Sequence, residues 1–320
     1  MTDRKPPPGD SPYRGPSPGK PRDKRERERD REARPAPPPS AERRGPPRER
    51  QPERHRDHAQ DEADADQLRG AFEAPRPPRE QRLHGLNACL AMFARRPQDL
   101  RKVWLLESRI HALNAVLAHC VKHRLGYTVV ADEDLQKLSA SAHHEGVVFG
   151  TVPAAEGNLS DWLRELKPGP QLAIWLDGVG NPHNLGAILR SAAHFGVAGL
   201  LLPKESPLAL SGAAARVAEG GADQVPMVRM GRADNSLAQL NSAGFVAVAT
   251  VVRGGQPLYG TALPERLLLV MGAEQAGIDP ALAQAAGLRV AIPGTGAVES
   301  LNVAAATAVF LGEWWRQRHA

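Results

Sequence analysis

The sequence predicts an α/β protein whose larger part is built on a parallel sheet. Three observations carry this. From Leu172 onward, short apolar runs alternate with segments of helical pattern. The runs are nearly continuous rather than alternating polar and apolar, as strands covered on both faces require. The turns between them hold Gly, Asn, Asp and Pro, which stop one element and start the next.

The first 80 residues stand apart. They hold 17 of the 29 prolines and 20 of the 41 Lys and Arg, with almost no branched aliphatic side chains. Such a segment cannot bury enough apolar surface to offset its ordering entropy, and a disordered tail is expected over 1–80. Its charge is uneven. Residues 1–56 carry 17 basic against 10 acidic side chains, and residues 57–80 carry 3 against 7. A basic arm of this kind suits contact with nucleic acid, and equally a solubilising tail.

Folded sequence begins at "RLHGLNACLAMFARRP", where Leu86, Leu90 and Phe93 share a helical stripe that Pro97 ends. "KVWLLES" reads as a strand and "HALNAVLAHCVKHRLG" as a helix stopped by Gly126. "YTVVA", "DEDLQKLS" and "GVVFGTV" follow as strand, helix and strand. This makes a small α/β unit over 81–152. Residues 153–170 read as a linker with one or two amphipathic turns. In 171–320 the expected strands are "LAIWLD", "VAGLLLP", "QVPMVRM", "GFVAVATVV", "RLLLVMG" and "LRVAIPG". Between them lie the helices "NLGAILRSAAHF", "LALSGAAARVAE", "ADNSLAQLNSA" and "PALAQAA", with a long last helix from Ser300 to Arg318.

Several classes are excluded. The two cysteines, Cys89 and Cys120, sit in no Cys/His cluster with zinc spacing, so neither a disulfide framework nor a structural metal is expected. The charged, Pro-rich beginning lacks the apolar core of a signal peptide, and no apolar run reaches membrane-spanning length. A cytoplasmic protein with no membrane partner is expected.

Ligands of parallel sheets bind beyond the carboxyl ends of strands, and three of these ends hold unusual residues. In "LDGVGNPHNLGAILRSAAHFGV", Asn184 suits a helix cap and Leu185, Ile188, Leu189 and Ala192 form the buried stripe. Gly186, Arg190, Ala193 and His194 share another face, where small neighbours leave the Arg190 fork room for a phosphate. A capped helix with a surface arginine explains the same spacing. In "LLLVMGAEQAGI", Gly272 would let a ligand approach the backbone, and Glu274 could pair with a base or orient a ribose hydroxyl. A Gly-rich turn needing positive φ is the plainer account. In "VAIPGTGAVESLNVAAATAVFLGEWWRQR", Ser300 suits an N-cap and Val303, Thr307, Phe310, Leu311 and Trp314 form an inner stripe. Capping does not explain why Asn302 and two glycines precede so apolar a helix. None of the three is a phosphate-binding P-loop, and no G-x-G-x-x-G turn follows the first strand, which argues against a nucleotide-binding oxidoreductase.

Together these stretches resemble the SpoU (TrmH-like) family of RNA 2′-O-ribose methyltransferases, in the SPOUT superfamily. The resemblance rests on Asn181, Asn184, Gly186 and Arg190, on Gly272, Glu274 and Gly277, and on Ile292 to Val303, in the family's order over 171–318. "EGGADQVPMV" is similar to the family's mid-domain segment. "HGLNACLAMFARRP" and "HHEGVVFGTV" resemble the ends of the RNA-reading domain that precedes many SpoU catalytic domains. The resemblance implies a SPOUT-type parallel-sheet domain tied in a trefoil knot, with S-adenosylmethionine held by Gly272, Ile292 and Leu301. It implies a homodimer in which Arg190 of one subunit lies near the cofactor of the other, with the Trp314–Trp315 region at the interface or, for Trp314, in the core. A guanidinium is a poor general base, so Arg190 is expected to clamp phosphate and stabilise a developing alkoxide. Asn184, Glu274, Ser300 and Asn302 would orient the ribose.

Two residues depart from the family pattern. Asn181 stands where many relatives carry an acid, and Ala304 where the family often has Ser. Ribosomal RNA is favoured over transfer RNA as substrate, because relatives with the small domain in front often act on the large-subunit RNA. The alternative is an RNA-binding protein that keeps the methyltransferase fold without turnover.

Overall fold

A computed structural model describes residues 80–319. The expected disordered tail lies outside the described residues, Glu80 apart. The remainder carries two sheets.

The smaller sheet has four strands, β1 (Gln81–His84), β2 (Leu100–Leu105), β3 (Gly126–Val129) and β4 (Val147–Thr151), in the order β1-β4-β2-β3. β4 is antiparallel to both of its neighbours and β2 is parallel to β3. The helices are α1 (Leu86–Arg95), α2 (Asn114–His123) and α3 (Asp132–Ser139). β1 was not expected, since four residues ahead of a glycine give little periodicity to read. The stripe of α1 also differs. Ala88, Cys89 and Met92 are buried, while Leu86, Leu90 and Phe93 flank them half-buried. The three expected residues thus line the margin of the buried stripe.

The larger sheet has eight strands, all parallel, in the order β10-β12-β9-β11-β6-β7-β8-β5. Six match the expected runs: β6 (Gln171–Asp177), β7 (Gly199–Leu202), β8 (Met227–Arg229), β9 (Val246–Thr250), β11 (Arg266–Gly272) and β12 (Leu288–Ala291). β5 (Gly157–Asn158) and β10 (Gln256–Pro257) are two-residue edge strands that no apolar run announces. Alternation of side chains across the pleat divides the core in two. Leu172, Ile174 and Leu176 of β6 face one cluster, and Ala173 and Trp175 face the other.

On the first face pack α5 (Pro182–His194) and α9 (Val303–His319), through Leu185, Ile188, Leu189 and Ala192 and through Phe310, Leu311 and Trp314. On the second pack α4 (Leu159–Glu165), α7 (Ala233–Ser242) and α8 (Pro280–Ala285). α4 lies inside the stretch read as a linker. Asn158 caps it by accepting from Asp161 N–H, and Trp162 lies across Gly199 and donates to the Ala198 carbonyl at 3.0 Å. Those contacts bind 157–165 to the larger sheet. Trp314 is a core residue whose indole donates to the Pro264 carbonyl at 3.0 Å, and Trp315 is exposed.

Both units meet at α6 (Gly212–Val217), a helix shorter than expected because Ser211 caps it. Ala215 enters the core of the smaller unit. Gly212 lies against the Arg82 carbonyl, and Gly220 leaves only 2.7 Å between Ala91 Cβ and the place of its own missing Cβ. Arg96 locks the seam, donating to Asp223 at 2.8 Å and to the Val152 carbonyl at 3.0 Å. α6 also explains Gly186, which does not share an open face with Arg190: a Cβ there would meet the Ala214 carbonyl at 2.5 Å.

His84 sits in this seam, 3% exposed, with neither ring nitrogen hydrogen-bonded. Burial pushes its pKa down, as do the nearby Arg216 charge and His144, while Glu145 opposes the shift. The unfolded chain therefore takes up a proton at about pH 6.5 that the folded chain resists, and stability falls as pH drops through that range. Thermal melts between pH 7.5 and 5.5 should show a falling Tm, with a shallower fall in His84→Gln. Equal slopes would place the effect elsewhere.

Candidate active site

β6 and β11 lie side by side, with Gly272 in register with Asp177 at their carboxyl ends. From β6 the chain winds through β7 and β8 on one side, and β9 and β12 lie on the other side, beyond β11. Reversals of this kind open a crevice at the strand ends, and the chain fills it with polar side chains.

After β6, Gly178 turns with φ 75° and Asn181 caps α5, its side-chain oxygen accepting from His183 N–H at 2.9 Å, with Pro182 at the first helical position. The cap is therefore Asn181 and not Asn184. An acid caps as well as Asn does, so the departure from the family pattern at Asn181 costs the helix nothing. Asn184, freed of capping, lies in the first turn, 8% exposed. Its Nδ2 donates to Glu274 Oε1 at 2.8 Å, and its Oδ1 accepts from Asn302 Nδ2 at 3.0 Å. Asn302 Nδ2 also donates to Glu274 Oε1 at 3.1 Å. One carboxylate oxygen thus holds two amides, which hold each other.

Asn302 has a second task. Its Oδ1 accepts from the Ala304 and Ala305 N–H groups at 2.9 and 3.4 Å and caps α9. Ser300 is not the cap; it is exposed, and no side-chain hydrogen bond joins it to the triangle among the described residues. Ala304 serves the cap through its backbone, so a Ser is not required there. Among the described residues, Glu274 Oε2 and the second Nδ2 hydrogen of Asn184 have no partner in the triangle. The cluster therefore offers one charged acceptor and one donor.

Gly272 also has a part in the turn itself. The backbone of Gly277 and Ile278 occupies the place where its Cβ would be, with Gly277 O 2.6 Å away. The turn closes on itself through Ala273 N–H to Gly277 O at 3.0 Å and Gly277 N–H to Ala273 O at 2.9 Å, with Gly277 at φ 72°. The glycine admits the chain itself, and the closed turn holds up Glu274. Asp177 and Asp279 were missed by sequence reasoning. Asp177 Oδ2 accepts from Asp279 N–H at 2.7 Å, and Asp279 caps α8 through Ala281 and Leu282 N–H. An acid ending a strand and a "DP" opening a helix were the available signals.

Ile292 is half-buried against the core, and Leu301 is 48% exposed. Among the described residues, the loop from Gly294 to Leu301 makes one internal hydrogen bond, from Ala297 N–H to Thr295 Oγ1 at 3.4 Å. Arg253 reaches Glu299 at 3.7 Å across the neighbouring loop. Backbone donors beside the open Val298 and Leu301 side chains suit a heteroaromatic ring, its edge on the donors and its face on the side chains, as the adenine of S-adenosylmethionine offers.

Arg190 does not join the triangle. Six residues beyond Asn184, it lies about 9 Å further along α5 and on a different face. Its side chain is 65% exposed, and Glu219 Oε1 stands 4.0 Å away. Glu219, at φ 52°, also accepts from Asn87 Nδ2 of the smaller unit at 2.6 Å.

The chain matches the SpoU rRNA Methylase family over residues 171–312 and the RNA 2′-O ribose methyltransferase substrate binding family over 82–156. It belongs to the SpoU family of RNA 2′-O-ribose methyltransferases. Over 242 residues it is 39% identical to the uncharacterized tRNA/rRNA methyltransferase YfiF of Escherichia coli O157:H7, covering 75% of this chain and 69% of that protein. Over 240 residues it is 33% identical to the 23S rRNA (guanosine-2′-O-)-methyltransferase RlmB of Escherichia coli strain K12, covering 74% and 98%. Among solved structures, the AdoMet-bound rRNA methyltransferase of Sinorhizobium meliloti is similar with a TM-score of 0.63 at 25% identity, covering 75% of this chain and 88% of that one.

Proposed function

We propose that this chain methylates a ribose 2′-hydroxyl of ribosomal RNA, and that the Asn184–Glu274–Asn302 triangle holds the acceptor ribose. The chain is an S-adenosylmethionine-dependent RNA 2′-O-ribose methyltransferase by family. The triangle supports this reading of the site: it joins the first turn of α5, the turn after β11 and the cap of α9 at the sheet's crevice, and leaves one carboxylate oxygen of exposed Glu274 without a partner in it.

When bound, S-adenosylmethionine supplies a methyl group on a positively charged sulfur. Gly272, Ile292 and Leu301 would hold it through the closed turn, the half-buried aliphatic wall and the open loop. Glu274 Oε2 accepts the hydrogen bond of the ribose hydroxyl and aims its oxygen lone pair in line with the methyl carbon; alignment of this kind is worth about 7–11 kcal/mol at its best. Ser300 lies at the loop's edge, where it can bond the ribose. Arg190 would clamp the phosphate and stabilise the negative charge that develops on the oxygen as its proton passes toward Glu274 Oε2.

A homodimer belongs to the same reading. Arg190 is remote from its own triangle and open on its helix, so a second copy can supply it, with exposed Trp315 a candidate for the interface. The trefoil knot belongs to it too, supported by β12 lying outside β9 while α9 returns to the α5 side of the sheet. Residues 81–152 would read the RNA and 171–320 carry the transfer, with 153–170 connecting them and adding β5 and α4 to the larger sheet. No helix among the described residues is long and apolar enough to cross a membrane, and ribosomal RNA as substrate supports a cytoplasmic location.

The test is transfer from labelled S-adenosylmethionine to ribosomal and transfer RNA, taken separately from cells lacking the gene, followed by digestion to nucleosides. A labelled 2′-O-methyl nucleoside in the ribosomal pool is expected. Label in the transfer RNA pool alone would overturn the substrate. RNA binding with no transfer to either pool would favour the fold kept without turnover.

A further inference from the structure

We propose that the uncovered end of the outer face of the four-stranded sheet is where this chain holds unpaired RNA, with Trp104 and the two cations over it, Arg82 and Lys102, as a stacking and phosphate-binding platform. This rests on the RNA methyltransferase reading and adds which surface captures substrate, and in what form.

The sheet's register sets Arg82, Gly150, Lys102 and Gly126 in one row across all four strands. Their side chains point away from the face that carries Leu83, Val103, Leu105 and Phe149 into the core. Two of the four positions are glycine, which leaves the face flat. The neighbouring side chains lie down over these gaps. The Trp104 ring comes within 3.3 Å of where a Gly150 Cβ would stand, and Lys102 methylenes come within 3.7 Å of the Gly126 position. The Arg82 guanidinium lies over the Trp104 ring, 4.3 Å from its centroid, and Lys102 Nζ lies over it at 4.9 Å, so a base reaches the half-buried indole by displacing these two side chains or by stacking on the guanidinium.

The next row, His84 and Val148, is buried, with α3 packed on those two strands, so the platform ends there. Among the described residues, Glu80 stands 3.8 Å from Arg82, with both side chains substantially exposed. An indole covered by two displaceable cations can exchange cation–π contact for base stacking while the released charges turn to the RNA backbone. Bases inside an A-form duplex cannot reach such a platform, whereas loops and single strands can.

The test uses the full chain and a fluorescein-labelled single-stranded oligoribonucleotide, with its duplex as comparison. Trp104→Leu should weaken single-strand binding about tenfold or more, and Trp104→Phe should retain most of it. Lys102→Gln and Arg82→Gln should each flatten the salt dependence by about 0.7 in log–log slope. Duplex binding should change little in Trp104→Leu, and S-adenosylmethionine binding should be unchanged in all four variants. Equal affinity of Trp104→Leu and wild type would overturn the proposal. So would equal losses for single strand and duplex, or displacement of the probe by polyglutamate equally in wild type and Trp104→Leu. If Trp104→Leu lost cofactor binding through misfolding, unchanged slopes in the two charge variants would overturn it instead. Failure of wild-type methyl transfer, with Trp104-dependent RNA binding intact, would sink the enzymatic reading and leave this surface standing.

Discussion

Gly272→Ala should lower methyl transfer by about 100-fold or more and remove measurable S-adenosylmethionine binding. A Cβ at this position meets the Gly277 carbonyl and the Ile278 backbone, not the yielding end of a side chain. The turn must open to make room, breaking the paired bonds between Ala273 and Gly277. Glu274 sits one residue from the opening, and a displacement of about 1 Å at a reacting group costs on the order of 100-fold. Overpacking of this kind also costs about 1–3 kcal/mol of stability. Gly231→Ala is the matched control, because nothing lies within 4 Å of its added methyl. Calorimetric cofactor binding and turnover decide the matter: a Gly272→Ala protein that binds and turns over like wild type would mean that the turn does not support the site.

Arg190→Ala should reduce transfer by about 100- to 1,000-fold, the usual cost of one charge-stabilising donor, with cofactor affinity unchanged. Arg190→Lys should stay impaired, since an ammonium lacks the planar fork. The sharper experiment mixes two inactive proteins. If Arg190 acts across a dimer, chains carrying Arg190→Ala and chains carrying Asn184→Ala complement each other, and random pairing restores about a quarter of wild-type sites. A mixture as inactive as its parents would put Arg190 in its own subunit's site or outside catalysis.

Much of the fold is legible in the sequence because burial leaves a pattern. The six apolar runs of the parallel sheet and the stripe from Val303 to Trp314 are read directly. What burial does not mark is missed. β5 and β10 are held by backbone pairing alone, and α4 is placed by Trp162 against Gly199, a contact with no local signature. In the site, residue types were readable and tasks were not. Two asparagines three residues apart can each cap a helix, and only the position of Pro182 at the first helical turn assigns the cap to Asn181. Glycine at 272 announces a close approach without naming what approaches. Ser300 and Asn302 cap equally well by type, and Asn302 takes the role because α9 begins at Val303, where its apolar stripe begins, and not just after Ser300.

The double duty of Asn302 bears on how this protein can change over generations. The same amide that fixes Glu274 closes the first turn of α9, and losing an N-cap costs about 1 kcal/mol. A lineage released from the need to methylate would still be penalised for losing Asn302, through abundance rather than activity. Drift should therefore erode Glu274 first: it is exposed, its side chain is bound among the described residues to the two asparagines alone, and it can be lost without loosening a helix.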